Sequence, residues 1–208
     1  HWVGDTPSSW AGLVSALKAM LSLSLSGFGL VSSDIGGFYT ADAFVHTAEA
    51  FEAMDPSSYR ADVEPELFAR WTQLGALSPV MRFHGTGRRE PWSYPDPFGS
   101  VAVEACRLRA TLRDYLKAAA DEAAETGTPM MRPMVLAFPD DRGAQDAQLQ
   151  YLLGPDVLVA PVLQPGGRTS VYVPEGRWEP VLGLAPLTAH GWTEVDVPLD
   201  CYPVWRRT

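Results

Sequence analysis

Three short stretches of the 208-residue sequence set a polar, reactive side chain near an aromatic one: Asp5 follows Trp2, Asp34 precedes Phe38, and His84 follows Phe83. Carboxylate and imidazole groups exchange protons and hydrogen bonds at near-neutral pH, while an aromatic ring offers an apolar face. Such a combination suits a sugar, whose hydroxyls need hydrogen-bond partners and whose C–H faces stack on rings. Each stretch also has a plain structural reading. Asp5 suits an N-cap of the helix that follows, Asp34 before Ile35-Gly36-Gly37 suits a turn, and His84 suits a hydrogen-bonded structural histidine.

The surrounding elements decide whether the three can meet. After Ser8 and Ser9 as candidate caps, Leu13, Ala16, Leu17, Met20 and Leu21 recur at the spacing of a helix with one buried stripe. Residues 28–33 form a short apolar run leading into the glycine-rich loop 34–38, which predicts a buried strand. A helical insertion is expected over 43–53. A second helix should start at about Pro65, a favoured first-turn residue, and run through Leu67, Trp71 and Leu74. Residues 79–83 predict another short strand, followed by His84-Gly85-Thr86-Gly87 and a polar loop to Pro97. One long helix should carry Val101, Ala105, Leu108, Leu112, Tyr115 and Ala119 on one face and stop at Gly127 and Pro129. Beyond Thr128 the β-rich runs 134–138, 157–162, 170–173 and 193–197 are divided by Gly, Pro and Asp, which predicts antiparallel sheet.

The expected organisation is therefore α/β over 1–128 and all-β over 129–208. Alternating strands and helices imply parallel strands, whose C-terminal ends carry the chemistry of such folds. The three polar-aromatic stretches fall at those ends.

Composition narrows the partners. With 46% apolar and 20% charged residues the chain has the make-up of a packed globular protein. Its 25 acidic against 16 basic residues give a formal charge of −9, with no Lys/Arg run, which speaks against nucleic acid and anionic membranes as partners. The apolar stretch 13–31 contains Lys18 and four serines and is broken by Gly27 and Gly29, so it does not read as a membrane span. Cys106 and Cys201 have no second Cys or His at ligand spacing, which argues against a metal site or redox pair. No cofactor is expected. Sparse cysteine favours the cytoplasm, and no targeting segment is readable at His1-Trp2-Val3. The sequence leaves a homo-oligomer open.

The ordered run Trp2-Val3-Gly4-Asp5, Ser26-Gly27-Phe28-Gly29, Ser33-Asp34-Ile35-Gly36-Gly37-Phe38, Arg70-Trp71, Arg82-Phe83-His84-Gly85, Pro91-Trp92, Gly127-Thr128-Pro129-Met130-Met131-Arg132-Pro133 and Leu158-Val159-Ala160-Pro161-Val162 closely resembles glycoside hydrolase family 31. Val171-Tyr172-Val173-Pro174-Glu175-Gly176-Arg177-Trp178 extends the likeness over nearly the whole chain. The family contains α-glucosidases and α-xylosidases. The resemblance implies the C-terminal part of a (β/α)8 barrel followed by a β-sandwich, with Asp5 just after the sixth barrel strand and the two visible strands as the seventh and eighth. It implies Asp5 as general acid/base, Asp34 and His84 lining the sugar subsite, and Trp2 and Phe38 as aromatic walls. It also implies that the nucleophilic aspartate lies on the fourth barrel strand, N-terminal to His1, so that a barrel half is a required partner.

Two features depart from the simplest pattern. The segment 39–65 is long and would reshape one flank of the pocket, and the nucleophile is outside the chain. The expected substrate is an oligosaccharide or other α-glycoside. Arg88, Arg89, Pro91 and Trp92 after Arg82-Phe83-His84-Gly85 resemble α-xylosidase members more than α-glucosidases. Two alternatives are kept: a non-catalytic remnant that binds sugar or packs on a partner, and an unrelated barrel enzyme using His84 as base.

Overall fold

The computed structural model describes residues 1–39 and 62–208. The helix expected over 43–53 lies outside the described residues.

Residues 1–3, 31–35 and 80–82 lie side by side as short parallel segments. Ser32 donates its N–H to His1 O (2.8 Å), Val3 to Ser32 O (3.2 Å), Val80 to Val31 O (3.3 Å) and Ile35 to Arg82 O (3.0 Å). Between the first and second runs α1 (Trp10–Leu25), capped by Ser9, whose hydroxyl accepts from Gly12 N at 3.0 Å. Its stripe Leu13, Ala16, Leu17, Met20 and Leu21 is buried, as the spacing predicts. Before the third segment runs α2 (Pro65–Ala76), with Pro at its first turn and the Glu64 carboxylate accepting from Glu66 N and Leu67 N at 2.8 and 2.9 Å. A cap carboxylate at a helix N-terminus also meets the positive end of its dipole.

The single long helix expected after Pro97 is two helices, α3 (Phe98–Thr111) and α4 (Arg113–Thr126). The break sits at Leu112, whose N–H is shared between Leu108 O and Arg109 O (3.2 and 3.1 Å) at a ψ of 1°. The Thr111 hydroxyl adds to the disturbance by bonding Leu108 O at 2.7 Å, a competition that bends helices. The apolar face survives the break, with Val101, Ala105, Leu116 and Ala119 all buried, so its period reads through a kink that it cannot reveal. Gly127 ends α4 in the left-handed region at φ 76°, as a C-terminal glycine does.

The rest is antiparallel sheet with two short helices. After β1 (Met131–Pro133) come α5 (Met134–Ala137), α6 (Arg142–Asp146), β2 (Tyr151–Leu153), β3 (Val157–Val159), β4 (Arg168–Val173), β5 (Trp178–Pro180), β6 (Gly191–Asp196) and β7 (Val204–Arg207). Residues 134–138 were expected as a strand; the strand lies just before them and Pro133 turns the chain into a helical turn. A five-residue apolar run carries too little period to separate the two. Five strands form one sheet in the order β1-β2-β3-β7-β5, and β4 pairs with β6 in a second.

Period-two alternation divides the larger sheet between two cores. Tyr151, Leu153, Val157, Val159 and Val204 pack against the apolar faces of α1 to α4. Leu152, Leu158 and Trp205 face the other way, onto Val171, Val173 and Trp178. Polar groups fasten the same junction: the buried Arg70 guanidinium donates to Val197 O and Pro198 O (2.7 and 3.3 Å), and Gln73 Nε2 to Leu199 O (2.7 Å). The β-rich part thus shares one core with the helices before it.

The two outer parallel segments each have a single described partner. Among the described residues, 1–3 pair only with the 31–35 segment, and so do 80–82. Open strand edges and uncovered apolar faces invite pairing between chains. Residues 1–208 expressed alone are therefore expected to aggregate or to assemble with another chain. Size-exclusion chromatography and denaturant unfolding check this; a monodisperse monomer with one cooperative transition would contradict it.

Candidate active site

The C-terminal ends of the three parallel segments converge, and hydrogen bonds between their loops fix how. Phe38 donates its N–H to Thr6 O (2.7 Å) and accepts from Thr86 N (2.8 Å), which clasps it between the loop after Trp2 and the loop after His84. Ser8 N–H donates to Tyr39 O at 2.6 Å. Gly37 turns the middle loop at φ 77°, and a Cβ there would lie 2.7–2.8 Å from the backbone of Pro7 and Ser8. Gly37→Ala combines an unfavourable dihedral with that clash and is expected to cost at least about 1–3 kcal/mol. Denaturant unfolding of the variant measures it, and an unchanged midpoint would show that the two loops separate freely.

Asp34 sits at the centre. Its side chain is fully buried, its backbone pairs with Arg82, and Arg82 Nε lies 3.1 Å from its Oδ1. Neither carboxylate oxygen accepts a hydrogen bond of good geometry among the described residues, so the group holds unused acceptor capacity. Burial pushes its pKa up, against the pull of Arg82, His84 and the Trp2 indole; the neighbouring charge of Asp5 pushes the same way as burial.

Around it stand the other expected residues. Trp2 is 41% exposed and the Arg82 guanidinium lies 5.3 Å from its ring centre. Half-buried Phe38 and exposed His84 are neighbours, with ring centroids 5.5 Å apart. Asp5 is exposed, and no hydrogen bond or ion pair engages its side chain among the described residues. The structure brings Asp5, Trp2, Asp34, Phe38 and His84 to one end of the parallel segments.

Of the plain structural readings, the structure keeps only the turn at Asp34. Ser9, and not Asp5, caps α1. The turn at Asp34 uses its backbone carbonyl, which accepts from Gly37 N at 3.0 Å, leaving the carboxylate aside. His84 is exposed, unlike a satisfied core histidine. Arg82 is the group whose role was not singled out from sequence. Its signal was the Arg-x-His spacing, which puts residues 82 and 84 on the same side of an extended segment. Among the described residues no cluster of three or more His, Cys, Asp or Glu could hold a metal ion.

Known proteins resemble the chain along nearly its whole length. The family described as "Glycosyl hydrolases family 31 TIM-barrel domain" matches residues 1–119, and "Glycosyl hydrolase family 31 C-terminal domain" matches residues 127–208. An alpha-xylosidase of Emericella nidulans is 36% identical over 85% of the chain and 21% of its own length. A probable glucan 1,3-alpha-glucosidase of Oryza sativa is 31% identical over 99% of the chain and 21% of its own length. Among solved structures, a GH31 alpha-xylosidase from a soil metagenome complexed with xylose superposes with a TM-score of 0.84 at 31% identity, covering 99% of the chain and 32% of that protein. The chain spans between about a fifth and a third of the length of these relatives.

Proposed function

The chain belongs to glycosyl hydrolase family 31, and from that premise we propose that it forms the acid/base side of the active site of a retaining α-glycosidase that hydrolyses terminal α-linked sugars, α-xylosides first among them. Asp34 carries the reading: a fully buried carboxylate with free acceptor capacity, ringed by Trp2, Phe38, Arg82 and His84, is poorly explained by folding alone. Sugar hydroxyls add donors to the Arg82 guanidinium and Trp2 indole already beside Asp34, and Trp2 and Phe38 offer faces for the ring.

Retention requires two carboxyl groups about 5–5.5 Å apart, one attacking the anomeric carbon and one protonating the departing oxygen. Asp5 takes the second role. Exposed at a strand end and unengaged by other side chains among the described residues, it is free to meet a glycosidic oxygen and later to take a proton from water. The nucleophile comes from the barrel half N-terminal to His1, so residues 1–208 alone are expected to be inactive. An α-glucosidase is the second reading, favoured by the glucosidase relative. No metal or cofactor takes part in this scheme.

Full-length enzyme assayed on 4-nitrophenyl α-xyloside and α-glucoside, with the anomer of the first product followed by NMR, tests the proposal. Hydrolysis with retention supports it. Absence of hydrolysis on every α-glycoside, or an inverted product, would overturn it.

A further inference from the structure

Arg89 follows the catalytic-end loops in sequence and is buried to 5% exposure, an unusual place for a guanidinium. Its hydrogen bonds join its own loop, which continues from His84, to the other two. Nε and Nη2 both donate to Gly37 O, at 3.1 and 2.8 Å, on the loop that carries Asp34 and Phe38. Nη2 also donates to Ser8 Oγ at 3.2 Å, on the loop that carries Asp5. Nη1 donates to Arg88 O at 2.9 Å, on the chain that continues from His84.

The surroundings are shaped to the fork. A Cβ on Gly85 would lie 2.7–2.8 Å from the Arg89 Nε, Cζ and Nη2 atoms, and one on Gly36 would lie 3.3 Å from Nε. Two loops therefore come up against the guanidinium plane through glycine. The outer side is held too: Arg88 pairs with Asp62, and the Tyr94 hydroxyl donates to Arg88 O at 2.9 Å. A lysine presents a compact point charge and could not reproduce a planar fork that reaches a carbonyl and a hydroxyl at once.

The geometry points to Arg89 as a positioning residue that fixes the spacing between the acid/base loop and the sugar-subsite loop. It touches neither reacting atoms nor sugar and acts through Asp5, Asp34 and Phe38. This inference rests on the reading of the site as that of an α-glycosidase. Displacement of a reacting group by about 1 Å can cost on the order of 100-fold in rate, so an interloop clamp has kinetic consequences beyond holding the fold.

Arg89→Lys and Ser8→Ala in full-length enzyme separate the two arms of the clamp. Arg89→Lys loses both arms and is expected to lower kcat/KM by about 100-fold on an alkyl glycoside, with KM raised on alkyl and activated aryl substrates alike. Ser8→Ala loses only the Asp5 arm. It should lower kcat on the alkyl glycoside and leave KM on the aryl glycoside near wild type, a split that a general loss of stability does not produce. Thermal unfolding of each variant runs alongside, and Arg89→Met adds loss of charge to loss of the fork. Near wild-type kinetics in Arg89→Lys, or losses in both variants that merely follow their unfolding temperatures, would overturn the assignment. A wild-type enzyme without α-glycosidase activity would sink the underlying reading as well, whereas active wild type with unaffected Arg89→Lys would sink the clamp alone.

Discussion

Asp5→Asn in full-length enzyme is expected to lower kcat/KM on glycosides with poor leaving groups by about 100- to 10,000-fold, the range of a positioned general acid. An alkoxide leaves with difficulty unless a proton arrives as the bond breaks, and asparagine has none to give. A 4-nitrophenolate needs little help, so glycosylation from an activated aryl glycoside should fall far less. The second half of the reaction needs a base to take a proton from water, and Asn serves no better there, so a covalent intermediate should accumulate on the aryl substrate as a burst. Comparison of kcat/KM across leaving groups, with pre-steady-state traces, reads both effects. An equal and small loss on every substrate would remove Asp5 from the role. The structure supports the sharp form of this expectation because α1 draws its cap from Ser9, which leaves the Asp5 side chain no folding duty that the substitution would disturb.

Legibility in the sequence followed the physical reach of each signal. The stripe of α1 and the start of α2 at Pro65 were readable because a helix of twelve or more residues repeats its period several times. The kink at Leu112 was not, since it arises from a shared N–H and a Thr111 hydroxyl bond that leave the apolar spacing intact. β2, β5 and β7 leave no readable signal because three or four residues show only two or three alternations. The parallel segments were readable only as apolar runs ending in glycine, and their pairing emerged with the backbone hydrogen bonds. The site itself was more legible than the sheet, since Asp5, Asp34 and His84 each sit beside an aromatic residue at a strand end. The Arg-x-His spacing sets Arg82 and His84 on one side, but the contact of Arg82 with Asp34 and the reach of Arg89 to Gly37 and Ser8 join segments far apart in sequence, which no local spacing encodes.

Asp34→Asn should move activity and stability in opposite directions. On the activity side, the charged acceptor facing sugar hydroxyls is lost, and kcat/KM is expected to fall by roughly 2–4 kcal/mol of transition-state stabilisation, about 30- to 1,000-fold, whatever the leaving group. On the stability side the sign follows from burial. The folded state raises the Asp34 pKa, because burial outweighs the combined pull of Arg82, His84 and Trp2. A raised carboxyl contributes stability that is fully present below the ordinary carboxylate pKa and is lost as pH rises through the raised value. Above that value the folded protein carries a buried anion, and asparagine, neutral at every pH, does not. Arg82 is 38% exposed at its side chain and can be hydrated when its partner becomes neutral, so the substitution leaves no buried cation behind. The unfolding temperature of Asp34→Asn relative to wild type should therefore improve from acid to neutral pH while activity stays low. Melting curves across that pH range and kcat/KM on one alkyl and one aryl glycoside measure the two sides. Wild-type kinetics in the variant would return Asp34 to a turn residue, and a stability difference that ignores pH would show that its carboxyl titrates alike in folded and unfolded chains.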